Sequence, residues 1–112
     1  MLLCLFLLYE RKWVALQTEI NSLNINYTEN GEGDLVVLLH GWGSNITLFN
    51  HTISVLERKY KVVAMDMPGF GESEEPKEPW CVDDYVDFVL KFLEKYRPKK
   101  VTLLGHSFGG RV

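Results

Sequence analysis

Apolar and polar positions along the 112-residue chain follow two rhythms. Leu16, Thr18 and Ile20, then Leu23, Ile25 and Tyr27, recur at every second position, the period of half-buried strands. Asn21-Ser22 lies between these segments and Asn30-Gly31 follows them, so turn chemistry brackets an N-terminal hairpin. Leu35 to Leu39 is different: an unbroken apolar run, as expected of a strand covered on both faces. The same type recurs at Val62 to Met65 and at Val101 to Leu104.

Helical stretches separate these runs. One is expected over roughly Ile46 to Lys59, with Ser44 or Asn45 as its N-cap. The other covers roughly Val82 to Arg97. Its apolar positions are Val82, Tyr85, Val86, Val89, Phe92, Leu93 and Tyr96, spaced to fill one buried face. Asp83, Asp84 and Asp87 lie early and Lys91, Lys95 and Arg97 late, which suits the helix dipole. Pro98 ends it. Alternating apolar strands and helices imply an α/β fold with a parallel sheet and right-handed crossovers. The hairpin in front makes the sheet mixed.

Composition changes this picture little. With 46% hydrophobic and 24% charged residues, the chain falls in the ordinary globular range. A net charge of −3 without a basic block argues against nucleic acid as a partner. Residues 1–14 are set apart as an apolar leader or non-domain extension, and 15–112 as the domain. The apolar stretch Met1 to Tyr9 is too short to span a bilayer, for which about 20 residues are needed. It also lacks the basic start of a secretion signal. Stable membrane insertion is therefore not expected, and a cytoplasmic location is. Cys4 and Cys81 have no metal-binding spacing and read as free thiols. No metal cluster, dinucleotide fingerprint or phosphate loop is apparent, so no cofactor is implied.

Three motifs carry the candidate chemistry, each after an apolar run. Gly105-His-Ser107-Phe-Gly109 is the pattern of a serine held on a sharp strand-to-helix turn. The two glycines allow close backbone approach, and amides at the helix start face a developing oxyanion. Alone the pattern is weak, since glycine makes up about 7% of residues generally. His40-Gly41-Trp42-Gly43 opens the space in front of the first apolar strand, where the Trp42 amide would join that of Phe108 as an oxyanion donor. His40 reads as a brace for this loop rather than as the catalytic base. His106, next to the serine, should point away from it, and His51 reads as a helix-surface residue. Asp66-Met-Pro-Gly-Phe-Gly71-Glu-Ser73 is a turn-rich loop. Asp66 precedes the serine, the wrong order for this kind of triad, so a structural role is expected.

In order and placement, these motifs resemble those of the α/β-hydrolase superfamily, in its serine-nucleophile branch. The likeness covers roughly Leu16 to Val112, the N-terminal portion of that fold. It implies Ser107 as nucleophile, Trp42 and Phe108 as oxyanion-hole amides, and His40, Gly41, Asp66, Gly105 and Gly109 as structural support. It implies hydrolysis of a small ester or amide-like substrate through an acyl-enzyme. Serine at the nucleophile position argues against epoxide hydrolases and haloalkane dehalogenases, which carry aspartate there. The resemblance also places the catalytic acid and histidine after the elbow, so the chain as given is expected to lack both. It further sets the last strand beside a missing sixth strand, with an unpaired edge. An acyltransferase or aminopeptidase on the same fold is one alternative. A non-catalytic fragment or interaction module is another.

Overall fold

The computed structural model describes residues 14–112. The proposed leader therefore lies almost wholly outside the described residues, as does Cys4; Cys81 is free and exposed. Five strands form one mixed sheet: β1 (Leu16–Ile20), β2 (Leu23–Asn30), β3 (Leu35–Leu39), β4 (Lys61–Met65) and β5 (Val101–Gly105). Their spatial order is β1-β2-β4-β3-β5. The hairpin pairs Leu16 with Tyr27 and Ile20 with Leu23. Asn21 and Ser22 close it with φ of 52° and 66°, the left-handed pair that a two-residue hairpin turn requires. β2 runs antiparallel to β4, whereas β3 is parallel to both β4 and β5.

Side chains alternate across the sheet, so each face has its own core. Leu35, Val37, Leu39, Val63 and Met65 pack on one side with Tyr85, Phe88, Val89 and Phe92. Val36, Leu38, Val62 and Ala64 pack on the other with Ile46, Phe49 and Ile53. This two-sided cover explains why β3 reads as an unbroken apolar run.

The helices are shorter than the sequence suggests. The first begins as a 3₁₀ turn, Ile46–Phe49, capped by Asn45, whose Oδ1 accepts from Thr47 N at 2.9 Å. It continues as α1 (Asn50–Leu56). The second, α2 (Val82–Glu94), stops before Arg97, which turns to φ 44° ahead of Pro98. Its buried stripe is Tyr85, Phe88, Val89 and Phe92. Phe88 is thus a core residue absent from the sequence-derived face, and Val82 is exposed.

β5 has the unpaired edge that the resemblance implies for the last strand. It is an edge strand paired with β3 alone, and Leu103 and Leu104 are exposed. The core beneath α2 reaches β5 only at Val101, and α1 packs over β3 and β4. β3 is where the chain order switches: β4 lies on one side and β5 on the other. A crevice at the carboxyl ends of the strands is expected at such a point.

Candidate active site

The loops after β3, β4 and β5 meet at this switch point. The β5 loop is pinned first: His106 N donates to Leu39 O at 3.0 Å, and Gly109 N to His106 O at 3.1 Å. Ser107 to Gly110 then form a single 3₁₀ turn. Ser107 takes φ 56°, a left-handed conformation that strains any residue other than glycine. It is exposed. The glycines around it are spatial requirements. A Cβ at Gly109 would fall 2.1 Å from Leu39 O, and one at Gly105 would fall 2.5 Å from Gly109 O. The elbow can sit against β3 only without them.

The loop after β3 approaches the same serine. A Cβ on the buried Gly41 would stand 3.2 Å from Ser107 Cβ. Ser44 N closes a turn onto Gly41 O at 3.2 Å. Among the described residues, neither the Trp42 amide nor the Phe108 amide donates to a protein acceptor. The Phe108 amide directly follows Ser107 and the Trp42 amide directly follows Gly41, so both lie in the loops that meet at the serine.

His40 is fully buried beneath them. Its Nε2 accepts from Met67 N at 2.9 Å, and its Nδ1 lies 2.7 Å from Gly41 O. An amide can only donate and a carbonyl can only accept, so the imidazole is neutral with its proton on Nδ1. Burial holds its pKa below the usual 6.5, against opposing pulls from the Gly41 carbonyl and Asp66. The ring joins the β3 and β4 loops and has no free nitrogen for proton abstraction. His40 therefore stabilises the fold fully above its unfolded pKa near 6.5, and this contribution is lost as pH falls through that value toward the lower folded pKa. Urea midpoints from pH 8 to 5 are expected to fall more steeply below 6.5 for the wild type than for His40→Gln. Parallel curves would show that His40 does not couple to folding.

Asp66 ties three segments together. Its Oδ1 accepts from Ile46 N at 2.8 Å; its Oδ2 accepts from Glu72 N at 2.9 Å and from Asn26 Nδ2 at 3.0 Å. It is 2% exposed. Ser73 Oγ donates to Asp66 O at 2.6 Å and accepts from Asn26 N at 2.9 Å. Gly71 must be glycine here, since at φ 53° its Cβ would lie 2.3 Å from Asp66 Cγ. Sequence reasoning missed Asn26. Its position in the strand alternation marks it as an outward polar residue, yet it is buried against Asp66. Ser73 was visible as the end of its motif.

The elbow, the loop after β3 and the loop after β4 thus converge. Among the described residues, His106 and the helical His51 are exposed, and no hydrogen bond joins either to Ser107. No group of three or more potential metal ligands occurs among them. No helix of the described residues is long and apolar enough to cross a membrane.

A family model described as "alpha/beta hydrolase fold" matches residues 34–112, the span that contains all three loops. The chain belongs to the alpha/beta hydrolase fold family. It is 32% identical over 92 residues to the (E)-2-((N-methylformamido)methylene)succinate hydrolase of Acinetobacter baylyi, across 82% of this chain and 35% of that protein. A solved membrane phospholipase A, described as a bacterial virulence factor, superposes with a TM-score of 0.83 at 29% identity. It covers 97% of this chain and 37% of its own. An epoxide hydrolase from Vigna radiata superposes with a TM-score of 0.81 at 27% identity, over 87% of this chain and 32% of its own. The chain of this hydrolase-fold protein spans about a third of the length of these relatives.

Proposed function

We propose that the whole protein is a serine hydrolase that cleaves a small ester or amide-like substrate through an acyl-enzyme on Ser107. The observation that carries this reading is the exposed Ser107, held at φ 56° on a tight turn that the glycine loop after β3 approaches. Strain of this kind persists only where the surroundings over-determine it, and it projects the hydroxyl away from the sheet. The relatives named as hydrolases and the neighbour named a phospholipase support hydrolysis as the reaction class. Serine at the elbow supports an acyl-enzyme over epoxide opening, although one neighbour is an epoxide hydrolase.

The Ser107 Oγ attacks the substrate carbonyl carbon while its proton passes to a general base. Negative charge moves to the carbonyl oxygen, where the Trp42 and Phe108 N–H groups receive it. The tetrahedral intermediate collapses, the C–O or C–N bond breaks, and the leaving group takes the proton from the base. Water, activated by the same base, then attacks the acyl carbon and releases serine and the acid. His40 cannot be that base, because both of its nitrogens are engaged. Residues 1–112 alone are accordingly catalytically silent, and the whole protein supplies the base and its orienting acid.

A fluorophosphonate probe is expected to label the whole protein at Ser107, as read by peptide mass spectrometry. A folded whole protein left unlabelled would overturn the proposal. Ser107-dependent turnover of p-nitrophenyl acetate by the isolated 112-residue chain would overturn the assignment of the base to the rest of the protein.

A further inference from the structure

A buried ring joins α2 to the elbow and takes no part in the acyl-transfer steps. Tyr85 lies in the first turn of α2, buried in the core with Phe88 and Val89. Its ring meets that of Phe108 edge-to-face, with centroids 5.3 Å apart and planes at 85°. Trp80 meets the same tyrosine ring at 5.1 Å and 76°. Contacts of this kind orient the rings they join. The Tyr85 hydroxyl donates to the buried Pro68 O at 3.2 Å, in the loop after β4. Burial pushes the Tyr85 pKa above its ordinary 10, so the hydroxyl stays a donor through the neutral range. Tyr85 is thereby held by its helix, by Trp80 and by Pro68, and its ring is fixed against Phe108.

Phe108 needs such a hold. It directly follows Ser107, whose φ of 56° persists only where the surroundings over-determine it. Backbone bonds fix the residues on either side, His106 N to Leu39 O and Gly109 N to His106 O. Neither bond holds the Ser107–Phe108 peptide between them. Its plane follows the backbone of Phe108, whose half-buried side chain packs against the same core as Tyr85. We propose that Tyr85 is a positioning residue: its ring holds the Phe108 side chain and so aims the Phe108 N–H at the developing oxyanion. This inference rests on the serine-hydrolase reading of Ser107. Without the ring, the strained turn relaxes by rotating the Ser107–Phe108 peptide, and the N–H turns away from the oxyanion. Acylation and deacylation both pass through that oxyanion, so either step slows. Ground-state contacts with the substrate are untouched.

The test uses the whole protein and the kinetics of fluorophosphonate labelling, which need no knowledge of the substrate. Ser107 Oγ bonds phosphorus, fluoride leaves, the serine proton passes to the base, and the phosphonyl oxygen takes the oxyanion position. Tyr85→Leu is expected to lower the maximal labelling rate about 10- to 100-fold, with the half-saturating probe concentration within about threefold of the wild type. Tyr85→Phe keeps the ring and is expected to hold the rate within about threefold of the wild type. Phe108→Leu removes the other ring and is expected to slow labelling like Tyr85→Leu. The double variant is expected to lose no more than the slower single one, since both break one contact. Phe108→Leu changes a half-buried side chain, so it keeps the test open should Tyr85→Leu fold poorly. Absence of labelling in the folded wild type removes the serine-hydrolase reading and this inference with it. Wild-type labelling at Ser107 with an unchanged rate in Tyr85→Leu or Phe108→Leu, multiplied losses in the double variant, or a loss in Tyr85→Phe equal to that in Tyr85→Leu overturns the positioning role alone.

Discussion

Ser107→Gly is expected to make the protein more stable and catalytically inert at once. Ser107 sits at φ 56°, in the left-handed region that disfavours a side chain bearing a Cβ by about 1–2 kcal/mol. Glycine removes that strain but adds about 0.5–1 kcal/mol of chain entropy to the unfolded state. The balance leaves a gain of roughly 0.5–1 kcal/mol. No hydrogen bond of the hydroxyl among the described residues opposes it. Turnover by the whole protein is expected to fall by about 10⁴- to 10⁶-fold, the scale on which a serine nucleophile is lost. Ser107→Ala separates the two effects. It removes the nucleophile but keeps the Cβ and hence the strain, so activity falls equally while stability stays near the wild-type value. Denaturant midpoints and kcat measured on the two variants check this. Equal stability of Ser107→Gly and Ser107→Ala would show that the left-handed turn stores no more strain than the glycine entropy cost of about 0.5–1 kcal/mol. Retained turnover in either would remove Ser107 from the chemistry.

The same residues show how much of the molecule was legible in the sequence. β3 and β4 could be read from apolar runs because both faces of the sheet are covered there, and the run itself records that cover. β5 has a similar run but a different fate. It lies at the edge of the sheet, paired with β3 alone. The Asn21-Ser22 turn was legible because a two-residue hairpin demands left-handed backbone, which Asn in particular tolerates. The helix ends were not: α1 stops at Leu56 and passes into a turn, although the Glu57, Arg58 and Lys59 that follow are all compatible with a helix. In the site, glycine spacing announced the elbow, and the structure supplies the reason in the contacts that a Cβ would make. The partnership of Asn26 with Asp66 joins residues 40 positions apart and left no trace in the strand alternation. The edge-to-face contacts of Trp42 with Phe70 and Phe108 were invisible for the same reason: the three rings come from loops that meet only after the sheet has formed.

Asp66→Ala is expected to destabilise the protein by about 3–5 kcal/mol, because it orphans three donors in a buried site. The Ile46 and Glu72 amides would lose a charged acceptor, and Asn26 would lose the partner that joins β2 to the β4 loop. Gly71 has been shaped around this carboxylate, so the space left behind adds a cavity to the loss. Asp66→Asn retains the volume and one acceptor oxygen, but its NH₂ would face donors. It is expected to cost about 1–3 kcal/mol. A catalytic acid would behave in the opposite way. Its amide variant would keep stability and lose kcat, as the orientation of the base failed. The measurement is therefore paired: urea unfolding gives stability, and the rate of fluorophosphonate labelling at low denaturant gives the competence of Ser107. The structural reading expects a large stability loss in Asp66→Ala, an intermediate one in Asp66→Asn, and labelling that follows the folded fraction. A fully stable Asp66→Asn that labels slowly would instead assign this carboxylate to the proton path.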